Sequence, residues 1–157
     1  MEKNYIRWIR ERVGHEPIIL IASVALIEDN RGNILTIRRG DREGEVWGLP
    51  GGMMELEESA EDTMRREVFE ETGLNVHIKH FQGVYSNRGL ERYPSGDVAQ
   101  VALFVFVCKK DSSGFEKPDG KETLDIKYIP VEKAKKIMAH HKMVFEDYLS
   151  GLKGIVR

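Results

Sequence analysis

Hydrophobic positions change their period several times along the chain. In "NYIRWIRERVG", Ile6, Ile9 and Val13 recur at helical spacing and end at Gly14, so an N-terminal helix is expected over residues 3–13, with Tyr5 and Trp8 widening its apolar face. That face could pack on its own domain, the preferred reading, or on a second copy in a homodimer. The run "IILIASVALIED" is apolar and β-branched and reads as a strand, "DNRGN" as a turn, and "ILTIRR" as a second strand, together a β-hairpin. "NVHIKHFQGVYS" and "VAQVALFVFVCKK" read as two longer strands and "ETLDIKYIP" as a shorter one. "VEKAKKIM" and "KMVFEDYLSGL" close the chain as helices. Between them, "GDREGE" and "YSNRGLERYPSGD" read as polar loops, and "VWGLPGG" is too rich in Gly and Pro for regular structure. Strands dominate around one central helix with flanking helices, which predicts an α/β or α+β sandwich.

The central helix lies in the most unusual stretch, "GGMMELEESAEDTMRREVFEETGL", which crowds seven Glu and one Asp against two Arg. Ser59 can cap a helix, with Asp62 three residues on completing a capping-box-like pair, and Gly73 can stop it. Ala60, Met64 and Val68 share the face that would anchor it to the sheet. Glu67, Glu70 and Glu71 are spaced i, i+3, i+4 and project together, and Arg66 could pair with Glu70 one turn on. Three carboxylates on one side repel one another unless neutralised. Hard oxygen ligands of this kind suit Mg²⁺, Mn²⁺ or Ca²⁺ rather than Zn²⁺. Taken alone, the helix could equally be an ordinary solvated face.

Composition narrows the class. With 157 residues, the chain is expected to form a single domain over 1–157. The formal net charge of −2 supplies no basic field, so neither nucleic acid nor an anionic membrane is an expected partner. No targeting or membrane-spanning segment is evident, since the apolar run from Ile18 is too short to cross a bilayer. The one cysteine, Cys108, rules out an internal disulfide and fits a reducing, cytoplasmic setting as an inert thiol. The His140–His141 pair near a helix start reads as solvent-exposed rather than metal-binding.

The spacing within residues 52–74 carries more. Gly52, five residues, Glu58, seven residues, then Arg66-Glu67-Val68-Phe69-Glu70-Glu71-Thr72-Gly73-Leu74 resembles the signature of the Nudix hydrolases (MutT-like) at every fixed position. A chance match at a given start is on the order of one in a billion. One departure is Glu57, where many members carry Gly.

The resemblance implies a Nudix-type αβα sandwich around a mixed β-sheet, and a Mg²⁺- or Mn²⁺-dependent pyrophosphohydrolase cleaving a nucleoside diphosphate linked to another moiety. It implies metal ligation by Glu67, Glu70 and Glu71 with the Gly52 carbonyl, Glu67 alternatively serving as base. It implies an orienting role for Arg66 and support of the loop by Glu58. A further carboxylate outside the motif often completes such sites: Glu122 is the first choice, Asp97 the second and Asp125 the third. For the rest of the substrate, Tyr85 and Tyr93 could stack on a base and Arg38, Arg39, Arg88 and Arg92 could contact phosphates. Trp47 could also stack but is read as core. Two alternatives stand beside this: a catalytically silent nucleotide sensor, against which the complete set of carboxylates argues, and a pyrophosphohydrolase of RNA 5′ ends, against which the missing basic stripe argues.

Overall fold

The computed structural model describes residues 4–112 and 114–157. Its elements run α1 (Tyr5–Val13), β1 (Ile18–Glu28), β2 (Asn33–Arg39), β3 (Trp47–Gly48), β4 (Gly51–Met53), α2 (Ala60–Thr72) and β5 (Val76–Tyr85). They continue with β6 (Leu90–Arg92), β7 (Val98–Lys110), β8 (Thr123–Pro130), α3 (Val131–Ile137), a 3-10 turn (Ala139–His141), α4 (Lys142–Leu149) and β9 (Ile155–Val156). Residues 1–3, where the expected N-terminal helix was to begin, lie partly within that expectation but outside the described residues.

The sheet is mixed. Its path is β3-β2-β1-β7-β5-β9, with β8 on β2, β4 on β1 and β6 on β7. β1 runs parallel to β7, whereas β5 and β7 are antiparallel. The apolar run of β1 explains its central place: from Ala22 to Ile27 both of its faces are covered, so that stretch does not alternate with exposed polar residues. Leu20, Ala22, Val24 and Leu26 face one layer with Phe145 of α4, Ala134 of α3 and, at its margin, Tyr5 and Ile6 of α1. Ala25 and Ile27 face the other, with Met64 and Val68 of α2. Burying each of those two α2 side chains contributes roughly 1.5–3 kcal/mol and fixes which side of α2 meets the sheet. Cys108 is fully buried in that layer, and burial pushes its thiol up to about 12, so it is inert at neutral pH.

Three short strands correct the loop expectations, and a fourth is added near the end of the chain. The "VWGLPGG" stretch contains β3 and β4, because Trp47 and Gly48 pair with Arg38 and Ile37, and Gly51–Met53 pair with β1. The loop after β5 contains β6, whose three residues pair with β7. At the other end α4 stops at Leu149, and Ile155–Val156 adds a strand beside β5.

Candidate active site

The glycines before α2 are placed by β1. Ser23 stands opposite Gly52 and Val24 opposite Gly51. A Cβ on Gly51 would collide with the Ser23 carbonyl and the Val24 backbone, and Gly51 has φ 143°, so only glycine passes β1 this closely. A Cβ on Gly52 would stand inside the Glu67 carboxylate. The strand edge and the helix therefore meet with no side chain between them.

α2 begins where the sequence predicts. The Ser59 hydroxyl accepts from the Asp62 amide at 3.1 Å, and Asp62 accepts from the Ser59 amide at 3.2 Å. Ser23 of β1 donates to the Ala60 carbonyl at 2.7 Å, holding the first turn to the sheet. Gly73 ends the helix in the left-handed conformation at φ 71°. The residue at the departure noted above, Glu57, has φ 70° and is the only non-glycine residue with positive φ among those described.

Arg66 organises the acidic groups. Its guanidinium holds Glu58 at 2.6 and 3.0 Å, Glu67 at 2.7 Å and Glu70 at 3.1 Å, and also reaches the Met53 carbonyl at 3.2 Å. The expected Arg66–Glu70 pair is thus one arm of a larger hub. These hydrogen bonds hold the Glu58 carboxyl down to about 2, against the opposing effect of its partial burial. Glu70 is the most open of the three helix glutamates, its side chain 58% exposed against 15% for Glu67.

Glu71 turns inward. It is 4% exposed and accepts a 2.8 Å hydrogen bond from the Gly51 amide. Burial pushes its carboxyl up to about 8; the Gly51 amide and Arg39 act against this, while Glu67 and Glu122 add to it. Burial also raises Glu67, opposed by Arg66 and reinforced by Glu70 and Glu122. The negative field of Glu122, just before β8, thus reaches both Glu67 and Glu71 of α2.

That field opens on a cleft of about 1050 Å³. Gly52, Glu67, Glu71 and Glu122 line it together. So do Arg39, Tyr85, Arg88 and Tyr93 among the expected substrate contacts. Arg38 and Arg92 do not: Arg38 pairs along the sheet with Trp47 and Asp125, and Arg92 is exposed on β6. Tyr85 is only 2% exposed, so its ring is core and not an open stacking platform. Trp47 is half-buried against the core, its indole donating to Glu45 at 3.1 Å. Asp97 is engaged with His15 at 2.9 Å and Arg10 at 3.4 Å, tying α1 to the start of β7, and Asp125 pairs with Lys127 at 3.1 Å. Neither lines the cleft.

Sequence reasoning passed over Arg42 and Glu91 and read His141 as exposed, yet all three line the cleft. The exposed reading of the histidine pair holds for His140 alone; His141 is 7% exposed, because the 3-10 turn folds it under the start of α4. Its sequence signal was weak, three residues after the apolar Met138, since burial there depends on packing between α4 and the sheet.

Among the described residues no three His, Cys, Asp or Glu side chains converge as a preformed cage for a metal ion. The reason is visible in the hub: Arg66 draws Glu67 and Glu70 toward itself while Glu71 faces Gly51. The donor chemistry nevertheless fits a hard divalent cation. The carboxylates of Glu67 and Glu71 are hard oxygen donors, and the bare Gly52 lets the Glu67 carboxylate come against the strand backbone, where a carbonyl can join it as a ligand.

Comparison with known proteins agrees with this geometry. The NUDIX domain family matches residues 19–148. A MutT-like protein of Streptomyces ambofaciens is 36% identical over 135 residues, covering 85% of this chain and 77% of that protein. An ADP-ribose pyrophosphatase of Methanocaldococcus jannaschii is 30% identical over 129 residues, covering 82% of this chain and 72% of that one. Among solved structures, a NUDIX hydrolase of Nitrosomonas europaea superposes with a TM-score of 0.67 at 23% identity, covering 88% of this chain and 93% of that chain. The αβα sandwich is therefore that of the pyrophosphatases acting on phosphoric anhydrides. The chain belongs to the Nudix hydrolase family. Members act on small nucleotides and generally use divalent metals. No helix among the described residues is long and apolar enough to cross a membrane.

Proposed function

We propose that this chain is a Mg²⁺- or Mn²⁺-dependent pyrophosphohydrolase, cytoplasmic and acting as one domain, that cleaves the diphosphate of a nucleoside diphosphate linked to another moiety. The observation that carries the reading is the contact of Glu67 and Glu71 with the bare backbone of Gly52 and Gly51 at the wall of the cleft, with Glu122 in the same field. The 30% identical relative named an ADP-ribose pyrophosphatase supports a substrate of this class.

Glu67, Glu70, Glu71 and the Gly52 carbonyl would hold the ion. When bound, a divalent ion would supply charge neutralisation for the diphosphate and activation of the attacking water. The chain's own groups do the rest. Arg66 keeps the Glu67 and Glu70 carboxylates at set positions from the hub it forms with Glu58. Arg39, on the cleft wall and paired with Asp41 at 2.7 Å, would stand beside a diphosphate bound at Glu67 and Glu71. Glu122 is exposed at the mouth and enters no ion pair among the described residues, so it is free to accept a proton. Water attacks phosphorus, its proton passes to Glu122, and one phosphoanhydride bond breaks to give a nucleotide and a phosphorylated second product.

Incubation with a panel of nucleoside diphosphate derivatives, in Mg²⁺, in Mn²⁺ and after exhaustive EDTA treatment, tests the reading. At least one should be cleaved with either ion and spared after chelation. Equal turnover without metal, or none with any member of the panel, overturns it.

A further inference from the structure

Four buried side-chain polar atoms among the described residues lack a hydrogen-bond partner: the Tyr85 hydroxyl, Arg88 Nε, His141 Nδ1 and Thr123 Oγ1. Three of them belong to residues lining the same cleft. Unpaired polar atoms are costly in a folded interior, so such a cluster marks where a bound group supplies what the chain does not. Arg88 comes from the turn between β5 and β6, its side chain 16% exposed and its outer nitrogen 3.6 Å from Glu91. His141 comes from the 3-10 turn and is more than nine-tenths buried. The Tyr85 hydroxyl faces Gln82 and Asp147 without reaching hydrogen-bond geometry with either.

The character of these groups selects the ligand. Arg88 Nε–H is a donor only and requires an acceptor. Burial, His140 and Arg88 keep His141 well below the usual histidine range, so at neutral pH it offers a donor or an acceptor but no charge. Most of the cations on the cleft wall already have carboxylates of their own: Arg39 with Asp41, Arg157 with Asp147 at 2.8 Å, and Lys142 with Glu146 at 3.8 Å. At the Arg88–His141 end, where Glu91 already stands 3.6 Å from Arg88, a phosphate would find little free positive charge, whereas a neutral heterocycle with an acceptor on its edge would satisfy both groups. Tyr93, with the Arg42 guanidinium 5.6 Å over its ring, adds flat surfaces to the same cleft.

We propose that Arg88 and His141, together with the Tyr85 hydroxyl, form a subsite that hydrogen-bonds the edge of the substrate's nucleobase while the diphosphate lies toward Glu67 and Glu71. The proposal rests on the hydrolase reading above and adds the part of the substrate by which this chain selects it. His141, on the 3-10 turn, is then a specificity residue, and recognition comes from the opposite layer of the sandwich to the helix glutamates.

Binding of adenosine, guanosine, cytidine and uridine 5′-monophosphates, compared by calorimetry with base-free ribose 5-phosphate, tests it. Wild-type protein should bind at least one of the four roughly tenfold tighter than ribose 5-phosphate. His141→Phe keeps the ring volume and removes the nitrogens; Arg88→Met keeps the stem and removes the donor. Each should cut that margin to about threefold or less and leave ribose 5-phosphate affinity in place. Should His141→Phe fail to fold, Arg88→Met, at a less buried position, carries the comparison. Equal binding of nucleotide and ribose 5-phosphate by the wild type, or a margin that survives in the folded variants, overturns the proposal. A margin without hydrolysis of any diphosphate upholds the subsite and sinks the reaction; hydrolysis without a margin does the reverse.

Discussion

The Gly51 amide donates a hydrogen bond to Glu71, joining β4 to the last turn of α2 at a buried point. It offsets only part of the cost of burying a carboxylate, since Glu71 is still pushed up to about 8. Glu71→Gln keeps an acceptor for that amide while removing the charge. We expect kcat at saturating Mg²⁺ to fall by ~10²–10⁴, and the metal-free melting temperature to stay level or rise. Mg²⁺ should raise the wild-type melting temperature more than the variant's. Near-normal turnover with an undiminished Mg²⁺ shift would remove Glu71 from the site.

Gly52→Ala tests the close approach to Glu67. The added methyl displaces a carboxylate that Arg66 holds at 2.7 Å, so the loss falls on catalysis more than on folding. Turnover should drop on the order of a hundredfold, as for misplaced catalytic groups in general, with a melting temperature within a few degrees of wild type. Full activity would show that Glu67 has room to move without consequence.

Glu58 sets an acid limit. Its folded carboxyl lies at about 2, below the ordinary 4.5, so its stabilising contribution is complete above pH 4.5 and is lost as pH falls toward 2. Glu58→Gln should cost on the order of 1–2 kcal/mol at pH 7 once partial exposure is allowed for. Melts of the two proteins should converge between pH 4.5 and 2. A constant gap across that window would mean that the Arg66 pairing is not what Glu58 contributes.

Glu57 carries a side chain at φ 70°, where L-residues are strained by ~1–2 kcal/mol. Glu57→Gly relieves this but frees the unfolded chain by ~0.5–1 kcal/mol. The expected outcome is a net gain of about 0.5–1 kcal/mol in chemical denaturation, and a loss of stability would contradict the strained conformation.

What could be read from sequence was whatever depends on neighbours along the chain. The cap at Ser59, the stop at Gly73, the anchoring of α2 by Met64 and Val68 and the strand identity of β1 and β7 follow from local pattern, and the structure carries them. Trp47–Gly48 and Leu90–Arg92 became strands only because β2 and β7 lie beside them, and no local propensity announces such partners. Arg38 and Arg39 looked equivalent, yet adjacent positions on a strand point to opposite faces, and only Arg39 reaches the cleft. Glu122 could be chosen from its chemistry; that it shares a field with Glu71 comes from the pairing of β8 with β2.

The sandwich divides the cleft between separate stretches of chain. The glutamates come with β4 and α2, stitched to β1 and packed through Met64 and Val68. Arg88, Glu91 and His141 come with the turn after β5, the short β6 and the approach to α4. Groups without shared partners make nearly independent contributions to free energy. A chimaera that grafts another relative's 86–93 and 139–143 segments onto this scaffold should thus exchange its selectivity and keep its cutting machinery, which makes the protein a two-module part for engineering.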